Sequence, residues 1–346
     1  MSTTQAVTVT RFGGPEVLEL RDLPMPEPGP GEVRVAVEAA ALCYTDMLIR
    51  RSLYPDNKEK PPFTIGYDWV GRIDAVGADV TGWTIGDRVA DLSVIGGAAR
   101  HLTVAADRLV GVPEEVDAAQ AESLILSYLT AWQALTRTGD AERGDPVLVI
   151  GATGAVGLAA LDLARAEGMI ATGVASRAGL REVEARGAAA IAYDEPGYED
   201  ELRRASEAAG GFTCVVDSAG ALPARRLAGL VRPGGTVAVL GFAGKVPRDG
   251  GGSRMGALAK VVGTVLQTGI GNALTSGKRL AFYNIAWTRK AYPDWYAEDL
   301  AALMRMLAEG RISPAVVRTF PMSDPVAAHR ALEAGGFAGR LSFGPG

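Results

Sequence analysis

The chain has 346 residues, enough for two domains that each bury a core of their own. Its 48% hydrophobic and 22% charged content is ordinary for a globular protein, and the net charge of −5 argues against nucleic acid or an anionic membrane as partner. The two cysteines, Cys43 and Cys214, point to reduced thiols, and no basic-plus-apolar leader stands at the start, so a cytoplasmic protein is expected.

Residues 5–40 alternate short apolar runs with turns. Val7–Val9, Val17–Leu20 and Glu32–Glu38 carry the period of two that marks strands, separated by Gly13-Gly14-Pro15 and the turn-rich Pro24–Gly31. A short helix holding Cys43, Tyr44, Thr45 and Asp46 is expected over Ala39–Arg51, followed by a proline-punctuated loop with Tyr54-Pro55. Strands return at Trp69–Val76, Arg88–Ala90 and His101–Val104. From about residue 117 the period changes, and Ala118–Thr138 reads as a helix interrupted near Ser127. Strands then fall at 147–150, 170–174, 190–192, 213–217 and 236–240, with helices at about 155–167, 178–186, 197–209 and 222–230. Such alternation predicts a parallel, doubly wound sheet, hence an α/β fold. Asp249–Gly252 reads as a loop, Met255–Leu274 as a helix and Arg279–Ile285 as a sixth strand. Asp294 is expected to cap a helix that Gly310 stops. Val316–Phe320, a helix between Ser323-Asp324-Pro325 and Gly335-Gly336, and Gly339–Phe343 finish the chain. The expected division is 1–122, β-rich; 123–309, α/β; and 310–346, a tail too short to fold alone that returns to the β-rich part. The active site is expected in the cleft between domains.

The most informative stretch is Val147–Ala164. Four apolar residues, Val147–Ile150, are followed by Gly151-Ala-Thr153-Gly154-Ala155-Val156-Gly157 and an Ala/Leu-rich helical segment. Three glycines, Thr153 and Asp162 make this a turn and helix rather than a membrane span. Strand, glycine turn and helix N-terminus together form an anion site, because free N–H groups and the positive end of the helix dipole point to one spot. Gly151 permits the turn, Gly154 admits a pyrophosphate against the backbone, and Gly157 lets helix and strand pack closely. A dinucleotide site is expected there; the competing reading is a tight turn with no ligand.

The order of four motifs carries a family resemblance. Leu53-Tyr54-Pro55, Gly66-Tyr67-Asp68, Gly77 through Gly86-Asp87-Arg88-Val89, and the Gly151–Gly157 turn resemble the medium-chain dehydrogenase/reductase superfamily, on its zinc-independent quinone oxidoreductase and enoyl reductase side. The resemblance spans roughly residues 10–345. It implies a GroES-like catalytic domain, a Rossmann cofactor domain and a homodimer.

The resemblance also supplies a test for metal. Leu42-Cys43-Tyr44-Thr45-Asp46 is similar to a segment whose Cys binds catalytic zinc in alcohol dehydrogenases. The second ligand there is a His, and here that place holds Tyr67; the third place falls near Ser127. Catalytic zinc takes about three protein ligands, and a phenol with a pKa near 10 is a poor one. The four-Cys structural zinc loop is missing, and His101 and His329 sit in no matching motif. No metal is expected, with Cys43 a small buried residue, His101 packed on the β-rich core and His329 a helix-surface or packing residue. Hydride delivery to an activated C=C or a quinone needs no Lewis acid, since a hydrogen-bond donor can meet the developing enolate.

The second strand of the α/β part ends Val174-Ala175-Ser176-Arg177, with no acidic residue to hold a ribose 2′-OH. Ser176, Arg177 and, one helical turn on, Arg181 favour a 2′-phosphate and therefore NADPH; a solvated helix start is the alternative. By resemblance, Tyr193 touches that phosphate, Ser218, Gly241 and Phe242 line the cofactor site, Phe282, Tyr283 and Asn284 meet the nicotinamide, and Arg340 approaches a cofactor phosphate. Core packing is the competing reading for Phe282 and Tyr283. Tyr54 matches a proton-donating Tyr of enoyl reductases, with packing before Pro55 as its alternative, and Tyr67 is the second candidate. Cys43, Tyr44, Tyr54 and Tyr67 are the expected substrate contacts, and Cys43 stands where quinone reductases of this group often have Asn. Asp46 and Asp68 read as structural acceptors. The leading expectation is an NADPH-dependent reductase of an enone, enoyl or quinone substrate. A metal-free carbonyl or alcohol oxidoreductase and a non-catalytic NADPH-binding protein stay open.

Overall fold

A computed structural model describes residues 2–54, 56–220, 222–240, 255–256, 259, 262–263, 266 and 277–344. The expected loop Asp249–Gly252 and most of the expected helix Met255–Leu274 lie outside the described residues. The chain forms two units: residues 1–126, 293–336 and 340–346, and residues 127–292 and 337–339. Among the described residues no helix is long and apolar enough to cross a membrane.

The first unit contains β1 (Thr3–Val9), β2 (Leu18–Pro24), β3 (Glu32–Leu42), β4 (Phe63–Thr64), β5 (Asp68–Val76), β6 (Arg88–Leu92), β7 (His101–Ala105) and β8 (Val110–Gly111). The second contains β9 (Pro146–Ile150), β10 (Ile170–Ala175), β11 (Ala189–Ala192), β12 (Phe212–Asp217), β13 (Val231–Leu240) and β14 (Arg279–Tyr283). The last two strands, β15 (Val316–Pro321) and β16 (Arg340–Gly344), return to the first unit. There they extend a seven-stranded sheet ordered β15-β16-β3-β5-β6-β8, with β7 also on β3; β2-β1-β4 is a separate small sheet.

Strand β3 is longer than its sequence suggests. Ala39-Ala40-Ala41-Leu42 reads as the start of a helix, yet Ala39 pairs with Val70, Ala40 with Trp69 and Leu42 with Leu341. Alanine's helix preference is worth at most about 0.7 kcal/mol per residue. Two flanking strands and the full burial of Leu42, worth about 1.5–3 kcal/mol, outweigh it. The helix therefore begins after Cys43, as Tyr44–Arg50.

The second unit is the predicted doubly wound sheet. Its six strands run in the order β11-β10-β9-β12-β13-β14, all pairs parallel. Every residue from Val147 to Ile150 is buried, as a central strand covered on both faces requires. Leu148, Ile150, Val174, Val215 and Val237 build one core with Leu202, Phe212 and Leu227. The order turns around between β9 and β12, so adjacent crossovers leave in opposite directions there, which opens a crevice at the strand C-termini. The helix Ala155–Glu167 has the predicted limits and ends at Gly168, φ 75°. The interruption expected near Ser127 is a π-helical turn, Leu124–Tyr128.

Helix Pro293–Ala308 corrects the expected boundary at 309/310, since it clusters with the first unit. Tyr296, Leu300, Leu303, Met304 and Leu307 form its buried stripe, and Ala301 and Met304 share a hollow with Trp83 and Val112. Asp294 lies inside the first turn of this helix instead of capping it. Asp324 does cap Pro325–Ala334, accepting from the N–H of Ala327.

His329 on that helix is fully buried, lies 6.2 Å from the Phe343 ring, and has no hydrogen-bond partner for either ring nitrogen. Burial, reinforced by the charge of Arg50, pushes its pKa down to about 3. The unfolded chain therefore takes up this proton first. Stability is complete above about pH 6.5 and is lost as pH falls towards about 3, by up to about 5 kcal/mol from this one group. In urea unfolding between pH 7 and 4, H329L is expected to show a flatter stability profile than the parent; parallel profiles would refute the assignment.

Candidate functional site

In the second unit, all six strand C-termini share one edge, and the glycine turn follows β9 there. Gly151 has φ +81°, where a side chain is strained, and a Cβ on it would lie 2.6 Å from Ser218 Oγ. The N–H groups of Gly151 and Ala152 donate to Val174 O, tying the turn to β10. Gly157 packs against the turn: an added Cβ would sit 2.2 Å from Gly151 O. Gly154 differs, being exposed, with only Gly151 O within reach of a Cβ, at 3.4 Å. Its carbonyl accepts from Leu158 N–H at 2.9 Å as the first bond of the helix. The N–H groups of Ala155, Val156 and Gly157 have no intrahelical acceptor by the geometry of a first turn. Thr153 packs its methyl towards Gly179, just beyond β10. The turn therefore presents amides and a dipole end at an open glycine, which fits the pyrophosphate of a dinucleotide.

At the ends of β10 and β11 the structure brings together Ser176, Arg177 and Tyr193. Tyr193 is 56% exposed, and its N–H donates to Ala175 O. The Arg177 guanidinium pairs with Glu195, while its N–H donates to Asp194 Oδ1 at 2.7 Å. Arg181 is exposed one turn on. Neither Asp194 nor Glu195 was anticipated, although two acids directly after Tyr193 and an arginine at the neighbouring strand end are an opposite-charge signal. Ser218 donates to Ile150 O at 2.9 Å and supports the turn from below. Phe282 stacks at a tilt on Trp287, with centroids 5.6 Å apart. Tyr283 donates its hydroxyl to Gln133 Oε1 at 2.7 Å in the interior, and Asn284 caps Ile285–Ala291. Both thus have local structural partners. Gly241 and Phe242 lie outside the described residues.

The first unit holds the tyrosines. Gly66, at φ +111° with Ala98 N only 2.2 Å from a would-be Cβ, brings the chain hard against its neighbour and delivers Tyr67 into the interior. The Tyr67 carbonyl accepts from Ser93 and Val94. Tyr54 enters after the helix Tyr44–Arg50, and the two phenol oxygens lie 3.2 Å apart with rings edge to face at 6.2 Å. Both side chains are buried. Burial, followed by the neighbouring Tyr54, holds the Tyr67 phenol well above its ordinary pKa of 10, so it stays a neutral donor. Cys43 precedes the helix, its N–H donating to Asp46 Oδ2 at 2.9 Å, and burial raises its thiol pKa. Burial also pushes Asp46 up to about 6, and its other carboxyl oxygen has no partner. Tyr44 is half-buried at the start of the helix.

Arg340 corrects the expectation that it approaches a cofactor phosphate. It is 3% exposed, donates to Asp68 at 2.9 Å, and pairs with Glu122 through both Nε and Nη2. A guanidinium enclosed by two fully buried carboxylates is not free for a phosphate. Burial raises the Asp68 pKa well above the carboxylate range, despite Arg340, because the Glu122 charge adds to it. Asp68 is thus a structural acceptor, as expected. The donor set does not fit zinc: Tyr67 is bonded to Tyr54, Asp68 and Glu122 are held by Arg340, and His101 faces Thr4 and Asp74. Among the described residues no group of three His, Cys, Asp or Glu side chains is placed to hold a metal.

Two family models match the chain. Residues 29–114 match the alcohol dehydrogenase GroES-like domain and residues 187–341 the zinc-binding dehydrogenase family. Human quinone oxidoreductase is 34% identical over 252 residues, covering 71% of this chain and 76% of that protein. The chain belongs to the medium-chain dehydrogenase/reductase superfamily. It is an oxidoreductase of that superfamily, with quinone oxidoreductases among its homologues. A mycobacterial protein solved with NADPH is similar throughout, with a TM-score of 0.79 and 26% identity over 99% of this chain and 100% of the other. The CurK enoyl reductase shares the fold at 20% identity, with a TM-score of 0.83 over 100% of both chains.

Two pairs of variants test the site's construction. G154A is expected to leave the melting temperature within about 2 °C while weakening dinucleotide binding at least about tenfold; G157A is expected to lower the melting temperature by several degrees. Equal melting temperatures for the two would contradict the packing described. R340M is expected to cost about 3–5 kcal/mol in denaturant unfolding, because it strands two buried carboxylates. Adding D68N and E122Q to it is expected to restore part of that loss.

Proposed function

We propose that the protein is an NADPH-dependent reductase of a conjugated C=C bond or a quinone, working without a metal. The observation that carries this reading is the buried Tyr54–Tyr67 phenol pair, 3.2 Å between oxygens, a hydrogen-bonding pair able to serve a developing enolate. Bound nicotinamide would supply a hydride to the electrophilic carbon. Electron density then moves to the conjugated oxygen, and a proton must arrive at that oxygen or at the α-carbon. Tyr54 is the donor in this reading; Tyr67, kept neutral by burial, holds the Tyr54 hydroxyl in place and is the second candidate. Cys43 and Tyr44 lie at the adjacent helix start and would contact substrate.

NADPH is favoured by Ser176, Arg177 and Arg181 at the end of β10, a strand that ends without the acid typical of NAD-binding folds. The NADPH-bound mycobacterial neighbour supports the same cofactor, and the name of the human relative supports a quinone as acceptor. The glycine turn would hold the pyrophosphate on the amides of Ala155, Val156 and Gly157. A homodimer is part of the proposal, since among the described residues β14 is an edge strand of its sheet and an edge needs covering; sizing as a monomer would remove that part.

The test is NADPH consumption with a panel of 2-enones and quinones, with and without a chelator. Turnover indifferent to the chelator is expected. Y54F is expected to lower kcat about 100-fold with the best enone and leave NADPH affinity unchanged, with a smaller loss for Y67F. Activity abolished by chelation would sink the metal-free mechanism. Tight NADPH binding with no turnover on any acceptor would make the protein a cofactor-binding protein only.

A further inference from the structure

We infer that Glu195 sets cofactor specificity, by holding Arg177 in an ion pair that a ribose 2′-phosphate must break. The inference rests on the NADPH reading of the preceding subsection. Arg177 and Glu195 arrive from different strand ends, one after β10 and the other after β11. Their side chains are 74% and 37% exposed and in direct hydrogen-bonded contact. The contact is not a chance meeting of two long side chains. Asp194 Oδ1 accepts from the Arg177 N–H at 2.7 Å, and the Tyr193 N–H donates to Ala175 O at 2.9 Å, so the two segments are tied together immediately before the pair. Arg181, by contrast, makes no side-chain ion pair among the described residues. One arginine of the proposed phosphate site is therefore available and the other is already neutralised.

The charge balance gives Glu195 its effect. A 2′-phosphate carries nearly two negative charges and binds a guanidinium bidentately. It must compete with the Glu195 carboxylate for Arg177. An exposed ion pair is worth little, so the barrier is small and reversible. A cofactor with a plain 2′-OH gains nothing from Arg177 and loses nothing to Glu195. Glu195 thus lowers the preference for NADPH over NADH without contributing to the hydride step.

Calorimetric titration with adenosine 2′,5′-bisphosphate and with 5′-AMP tests this on the full chain, with NADPH and NADH binding followed in parallel by fluorescence. E195Q is expected to bind the bisphosphate about threefold to fivefold more tightly than the parent, with 5′-AMP unchanged and the gain reduced at 0.5 M salt. In an R177A background, E195Q is expected to give no gain; a full gain there would mean simple repulsion and would overturn the competition. A parent that prefers the bisphosphate, with E195Q identical to it, would also overturn the inference while leaving the NADPH reading intact. Equal binding of both probes by parent and E195Q alike would overturn both. Equal binding by the parent with a preference appearing in E195Q would support the role of Glu195 and show the parent to be indifferent to the 2′-phosphate.

Discussion

The close approach of Gly157 to the Gly151 carbonyl is the constraint on which the cofactor unit depends. No side chain fits there, since a Cβ would stand 2.2 Å from that oxygen. Because it fits so tightly, the helix Ala155–Glu167 starts directly above the C-terminal end of β9. Its dipole and first-turn amides then point at the same edge to which β10, β12 and β14 deliver Ser176, Ser218 and Asn284. Parallel pairing makes that convergence automatic, because all six strands end on one side. The glycine at 154 is the one left open, so the turn combines two positions chosen for packing and one chosen for approach.

The first unit solves a different electrostatic problem. Asp46, Asp68 and Glu122 are all fully buried, with Arg340 the guanidinium bonded among them. Isolated, each carboxylate would cost several kcal/mol in the interior. Arg340 offsets two of them, and burial pushes the pKa values of Asp46 and Asp68 upward. Arg340 thus commits Asp68 and Glu122, while Tyr54 and Tyr67 form a buried phenol pair in which burial keeps Tyr67 neutral. The chemistry open to such a pair is proton supply and hydrogen bonding, not Lewis-acid polarisation.

Much of the site was legible where local chemistry decides geometry. The glycine spacing, the helix limits at 155–167 and the Asp324 cap depend on neighbours within a few residues, and the structure has them as read. The reading failed where partners are distant. Ala39–Leu42 carries a helical composition, and only β5 and β16, which lie far along the chain, make it a strand. Arg340 lies 218 residues from Glu122 and 272 from Asp68, and nothing local distinguishes a basic residue that meets a phosphate from one that meets carboxylates. Helix Pro293–Ala308 has an apolar stripe that fits either unit by pattern alone.

The sequence by itself determined the α/β class, the parallel sheet, the glycine turn between strand and helix, and the superfamily, because periodicity, glycine spacing and motif order are written along the chain. The tertiary structure alone decided that Tyr54 and Tyr67 share a hydrogen bond, that Arg340 is enclosed by acids, and that Arg177 meets Glu195. Each of these is a pairing of charges or hydroxyls across separate elements. Its energy depends on distance and burial, and neither quantity exists until the strands have been brought into register.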